Sequence, residues 1–181
     1  MMVTRKATRI PWMIRPSTLA DERDINQLFQ HSWGELLMDY YEHDVLVAEL
    51  QSLELSRHEE LLTSATFYVV HHPDTQALVG CGGWSMTKPL DTITSYAHLR
   101  QFCTHPQFQR QGIAKRIWER CQSDISKCCG ADSIVGVLST FPAKSFYERL
   151  GFALVRELDV PINEENEVFP CFFMLLEPYA S

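Results

Sequence analysis

No stretch of this 181-residue sequence approaches the roughly 18 consecutive apolar residues that a membrane-spanning helix requires. The first dozen residues carry Arg5, Lys6 and Arg9 but lack the apolar core, about 7–15 residues long, of a secretory signal. They are expected to form an arm (1–12) ahead of a single domain (13–181). Metal-ligand spacing is missing as well. Cys81, Cys103, Cys121, Cys128, Cys129 and Cys171 contain no C-x-x-C pair, and four of them sit inside apolar runs where cysteine behaves as a small hydrophobe. This excludes a zinc ribbon or a disulfide framework and predicts a reducing, cytoplasmic setting. His71 and His72 are adjacent in a turn with no third ligand nearby, so no metal is expected.

Positive charge is also in short supply. Lys and Arg total 16 against 23 Asp and Glu, a formal net charge of −7. A nucleic-acid partner is therefore not expected, because such binding needs a basic face. An acidic surface is compatible with a cationic substrate and equally with plain solubility. Two large nucleotide-binding classes lack their signatures here: neither G-x-x-x-x-G-K-[ST] nor G-x-G-x-x-G occurs.

What is present is an ordinary globular composition, 45% hydrophobic and 22% charged, in a chain long enough for one packed core. A short strand ending at Pro16 leads to a helix that Ser17 or Thr18 can cap, with Leu19, Ile25, Leu28 and Phe29 as its apolar stripe. A second helical region is expected from about Leu36 to Leu53, continuing over Ser56 to Leu62. Thr66–Val70 and Ala77–Trp84 read as antiparallel strands joined by a turn, with Gly82-Gly83 marking a bulge or a close backbone contact. Tyr96–Thr104, a helix from Gly112 and Ser133–Leu138 form a strand–helix–strand crossover, which favours parallel pairing. Pro142 opens a last short helix, and two strands, Phe152–Asp159 and Val168–Leu176, flank the acidic loop 163–167. The predicted fold class is α/β: a mostly antiparallel, twisted mixed sheet of six to seven strands flanked by about four helices.

The turn Gln109-Arg110-Gln111-Gly112-Ile113-Ala114 sets consecutive main-chain amides at a helix start. Unpaired N–H groups and the positive end of the helix dipole, roughly half a charge, make such a turn an anion site. A phosphate-bearing cofactor is the first expectation. The turn reads Q-x-x-G-x-A, preceded by Phe102-Cys103-Thr104 and followed some thirty residues later by Tyr147 and Leu150-Gly151-Phe152.

On these two elements the sequence resembles the GCN5-related N-acetyltransferases, the GNAT superfamily. The resemblance extends to the strand order from about Ile14 to Leu176 and implies a direct transfer of acetyl from acetyl-CoA to a primary amine. It further implies that main-chain groups of Phe102, Cys103 and Thr104 bind the pantetheine arm, and that amides of Gln109, Arg110, Gln111, Gly112, Ile113 and Ala114 hold the pyrophosphate. Arg110 is open to two readings, a charge contact or a solvated side chain. Thr140 stands where the family often has a cofactor-binding asparagine. Tyr147 matches the tyrosine that protonates the departing thiolate, and it also reads as a half-buried aromatic closing its helix.

Amine acetylation needs a proton acceptor, since a lysine-like amine of pKa about 10.4 costs roughly 4.6 kcal/mol to deprotonate at pH 7. The offset of the histone acetyltransferases' glutamate falls on His98, which can act as that base or be a surface residue. Arg100, two residues on, can hold a substrate carboxylate or pair with the acidic loop. Trp33, Tyr40 and Tyr41 can line the acceptor cleft or pack the core. The expected partner is a small-molecule or peptide amine, with a homodimer possible in this family. The alternative is a non-catalytic acyl-CoA sensor of the same fold.

Overall fold

The computed structural model describes residues 11–56, 59–87, 97–163 and 167–178. The expected arm over 1–10, the connection 88–96 and Glu164 and Glu165 of the acidic loop lie outside the described residues.

Thr18 caps a single 3-10 turn, and its main-chain N–H and hydroxyl both donate to Asp21 (2.8 and 3.1 Å). Ser17, the other candidate cap, instead donates its hydroxyl to the Leu62 carbonyl at 2.7 Å. Strand β1 (Met13–Pro16) precedes this turn, and helix α1 (Glu22–Leu36) follows it. Ile25, Leu28 and Phe29 form the buried stripe of α1. The helix ends at Leu36, and the chain turns before α2 (His43–Ser56) and α3 (Glu59–Thr63). The expected second helical region therefore begins later, at His43.

Seven strands form one sheet in the order β1-β2-β3-β4-β5-β7-β6. They are β1, β2 (Phe67–His71), β3 (Leu78–Ser85), β4 (Ala97–Thr104), β5 (Val135–Ser139), β6 (Ala153–Pro161) and β7 (Val168–Leu176). Every neighbour pair is antiparallel except β4 and β5, which are joined by the crossover helix α4 (Ile113–Cys129). A short helix, α5 (Lys144–Arg149), follows β5.

Helices cover both faces. Ile113, Ile117, Cys121 and Ile125 of α4 bury an i+4 series against Val79, Leu99, Val137 and Met174. On the opposite face α1 and α3 pack Ile25, Leu28, Phe29 and Leu62 onto Phe67, Val69, Cys81 and Cys103. A third cluster joins Leu37, Tyr41 and Leu46 to Phe169 and Cys171 of β7. Trp12 falls in the expected arm yet is buried in the α4-side core.

Gly83 explains part of the glycine pair. A Cβ there would lie 2.4 Å from the Thr66 carbonyl and 2.6 Å from the Phe67 Cα, backbone atoms that cannot step aside. Gly82 lies in a register break with β4 between Cys81 and Gly83, so the pair marks both a bulge and a close strand contact.

Candidate active site

Pairing between β4 and β5 covers only Ala97↔Val135, His98↔Gly136 and Leu99↔Val137. Beyond Leu99 the two strands part, which leaves one edge of β4 free along its last residues. Gln101, at φ 48°, accompanies a register break with β3 between Cys81 and Gly83. Ala97 and Leu99 face α4; alternation puts His98 and Arg100 on the other face. The extra residue of the bulge then moves Phe102 to the α4 side, where its ring meets Tyr147 edge-on at 6.4 Å.

A cleft of about 580 Å³ fills the gap. Its walls are Ser32, Trp33, Leu36 and Leu37 of α1 and the turn after it, Phe102–Thr104 of β4, and Thr140, Pro142 and Ala143 after β5. Gln109, Arg110, Gly112, Ile113 and Ala114 close one end, and Ser145, Phe146, Tyr147 and Leu150 form the α5 side. Arg110 and Gly112 both adopt left-handed backbone, φ 61° and 85°. At Gly112 a side chain would be strained even though the space around it is open. Arg110, Lys115 and Arg149 put three cations on the cleft wall, and no carboxylate lines it among the described residues.

Tyr147 lines the cleft yet is buried, and burial pushes its phenol well above the ordinary value. Its phenol is therefore neutral at pH 7. Cys103 also lines the cleft, and its thiol donates to the Leu28 carbonyl at 3.9 Å, on the α1 side. Trp33 stacks on Phe169 (5.5 Å, 17°) and reaches the cleft from α1.

Phe102, Cys103, Thr104, Gln109, Arg110, Gly112, Ile113, Ala114, Thr140, Tyr147 and Trp33 are thus brought together around one cleft. Four expected site residues are not on its wall. His98 is only 1% exposed, because it lies in the closed part of the sheet where β4 pairs on both sides. Arg100 is partly buried on the same face, and desolvation lowers its pKa. Tyr40 points outward, 53% exposed, from the turn after α1. Its neighbour Tyr41 takes the inward place: the Phe141 N–H donates to the Tyr41 hydroxyl at 2.8 Å, and the ring stacks on Phe141 and Phe169. Gln111 is the fourth; its carbonyl is turned away and accepts a bond from Trp12. Sequence reasoning did not single out Ser32, Leu37, Lys115, Phe146 or Arg149 for the site. Lys115 directly follows the turn motif, and that adjacency was the available signal.

A splayed mixed sheet with an amide-rich, cation-flanked helix start in the gap is the architecture of the acetyltransferase (GNAT) domain. The chain belongs to the GNAT family: the acetyltransferase (GNAT) domain matches residues 34–163. Among solved structures, a GCN5-related N-acetyltransferase from Rhodopseudomonas palustris is similar at a TM-score of 0.70, with 17% identity over 92% of this chain and 95% of that one. A PaiA N-acetyltransferase from Thermoplasma acidophilum, in complex with coenzyme A, gives 0.68 and 14% over 93% and 100%. A histone acetyltransferase HPA2-related protein from Corynebacterium glutamicum gives 0.63 and 17% over 94% and 98%. These likenesses show the fold. No functionally curated protein matches the sequence.

Proposed function

We propose that the protein transfers an acetyl group from acetyl-CoA to a primary amine. One observation carries this reading: an acidic chain concentrates Arg110, Lys115 and Arg149 around a left-handed glycine turn at the start of α4. That combination fits the phosphates of a coenzyme, by fixed charge and by amides at the helix N-terminus. The free edge of β4 after Leu99 offers main-chain groups to the amides of a pantetheine arm. Acetyl-CoA supplies the activated thioester when bound. The chain's own contribution is binding, orientation and a proton: the buried, neutral Tyr147 hydroxyl is suited to donate to a departing thiolate.

The acceptor end of the cleft, with Trp33, Leu36 and Leu37, is largely apolar. It fits an amine carried on an apolar body better than a polyanion. The test is thiol release from acetyl-CoA against a panel of amines, with CoA binding followed by calorimetry. Release with at least one amine supports the enzyme. Tight CoA binding without release for any amine supports the sensor, and absence of CoA binding removes both.

A further inference from the structure

Trp12 lies immediately before β1, yet it makes two hydrogen bonds to a segment about a hundred residues away. Its indole Nε1–H donates to the Gln111 carbonyl at 3.1 Å, and its own carbonyl accepts from Arg116 Nη1 at 2.9 Å. The ring is 6% exposed and sits edge-on to both Phe108 and His72, each at 5.7 Å. Gln111 belongs to the anion turn and Arg116 to the first turn of α4. Trp12 therefore grips the turn from behind.

The grip has a directional consequence. In a trans peptide the carbonyl of one residue and the N–H of the next point to opposite sides of the plane. With the Gln111 oxygen held toward Trp12, the Gly112 N–H is turned the other way. Gly112 is on the cleft wall and Gln111 is not. No acceptor for that N–H exists among the described residues. A peptide next to glycine flips at low steric cost, because glycine occupies both signs of φ. Something must select the orientation, and the only hydrogen bond to the Gln111 carbonyl among the described residues comes from Trp12.

We propose that Trp12 is a positioning residue for the anion turn, aiming the Gly112 N–H at the diphosphate of the acyl carrier by holding the Gln111 carbonyl. The identity of the anion rests on the acetyl-CoA reading; the orientation of the peptide does not.

Trp12→Phe keeps an aromatic ring in the core and removes only the indole N–H. Calorimetry should show CoA affinity reduced roughly three- to tenfold, the worth of one hydrogen bond. Affinity for pantetheine, which lacks the diphosphate, should be unchanged. In the ligand-free protein the Gly112 amide resonance should shift or double. CoA affinity within twofold of the parent, or equal losses for CoA and pantetheine, overturns the proposal. If the parent binds no CoA, the acetyl-CoA reading falls by itself. The amide resonance still decides the clamp, and an unmoved Gly112 signal in Trp12→Phe refutes it. Should Trp12→Phe fail to fold, Arg116→Met frees the same residue from the α4 side without touching the core. It should move the Gly112 signal, and an unmoved signal again refutes the clamp.

Discussion

At the scale of the single residue, the two most informative side chains are Tyr147, buried, and Glu49, half-buried, both held toward the neutral form by desolvation. Tyr147 is kept neutral by desolvation, so it can donate a proton but cannot carry charge at neutral pH. Tyr147→Phe preserves the ring contacts with Phe102, Phe146 and Phe152 and deletes only the hydroxyl. It should lower kcat by about a hundredfold or more, while CoA affinity stays within about twofold. Steady-state kinetics beside calorimetry would show this split, and unchanged kcat would remove the proton-donor role. Glu49 on α2 has no hydrogen bond or ion pair among the described residues to offset its partial burial. Desolvation alone pushes its carboxyl up to about 7, and it lies within electrostatic reach of Tyr41 and Cys171. A folded pKa above the unfolded value means that the folded state holds more protons between about pH 4.5 and 7. The Glu49 contribution to stability is therefore most favourable below that window and is lost as pH rises through it. Glu49→Gln should raise Tm at pH 8 and leave it nearly unchanged at pH 4, which thermal unfolding at the two pH values would measure.

Elements show where the sequence was legible and where it was not. The Q-x-x-G-x-A turn and the i+4 series of α4 are local patterns, so both could be read directly, and the strand–helix–strand crossover gave the one parallel pair. The bulge at Gln101 is not local, because it depends on how β3 and β4 register. Strict alternation groups Phe102 with His98 and Arg100; the bulge sends Phe102 to the opposite face, beside Tyr147. For the same reason, sequence offset alone could not show that His98 lies below the point where β4 and β5 part. The turn after α1 likewise separates Tyr40 from Tyr41, which the sequence treats alike: Tyr40 faces outward and Tyr41 packs inward.

Two element-scale predictions follow from contacts that fix strand and helix ends. Gly83→Ala would drive a methyl into the backbone of β2 and should destabilise the fold by about 1–3 kcal/mol in urea unfolding. Asp21 ties β1 to the start of α1. Its carboxyl is held below the ordinary carboxylate range first by its hydrogen bond with Arg15 and also by bonds from Thr18. A depressed folded pKa gives stability that is complete above the unfolded value, roughly 3.9, and is lost as pH falls through the folded one. Asp21→Asn should cost about 1 kcal/mol at pH 7, the scale of a lost cap, and progressively less below pH 4. Denaturant midpoints at the two pH values would check the sign.

For the whole molecule, the distribution of charge matters more than its sum. A net charge of −7 coexists with a cleft lined by three cations, so positive charge is gathered locally at the cleft within an acidic chain. The acidic surface also bears on association. Strand β6 is the outer edge of the sheet and is largely exposed along its length, with Leu154 and Val155 among the exposed apolar residues. An open edge of nine residues is a template for a second copy. In a continuous antiparallel sheet, directly opposed residues must share a face, so their numbers sum to an even value about the two-fold axis. Centring on 156 sets Arg156 against Arg156, centring on 157 sets Glu157 against Glu157, and centring on 158 sets Glu157 against Asp159. Each central register opposes like charges, which destabilises cross-strand pairing. The charges on this edge are thus placed to oppose self-pairing, and the edge lies across β5 and β7 from the cleft. Replacing both Glu157 and Asp159 by Val removes the repulsion in the registers centred on 157 and 158 and lengthens the apolar edge. The double variant should show a larger mass than the parent in light scattering at equal concentration, with CoA binding per chain retained. An unchanged mass would mean that edge charge is not what keeps β6 from pairing.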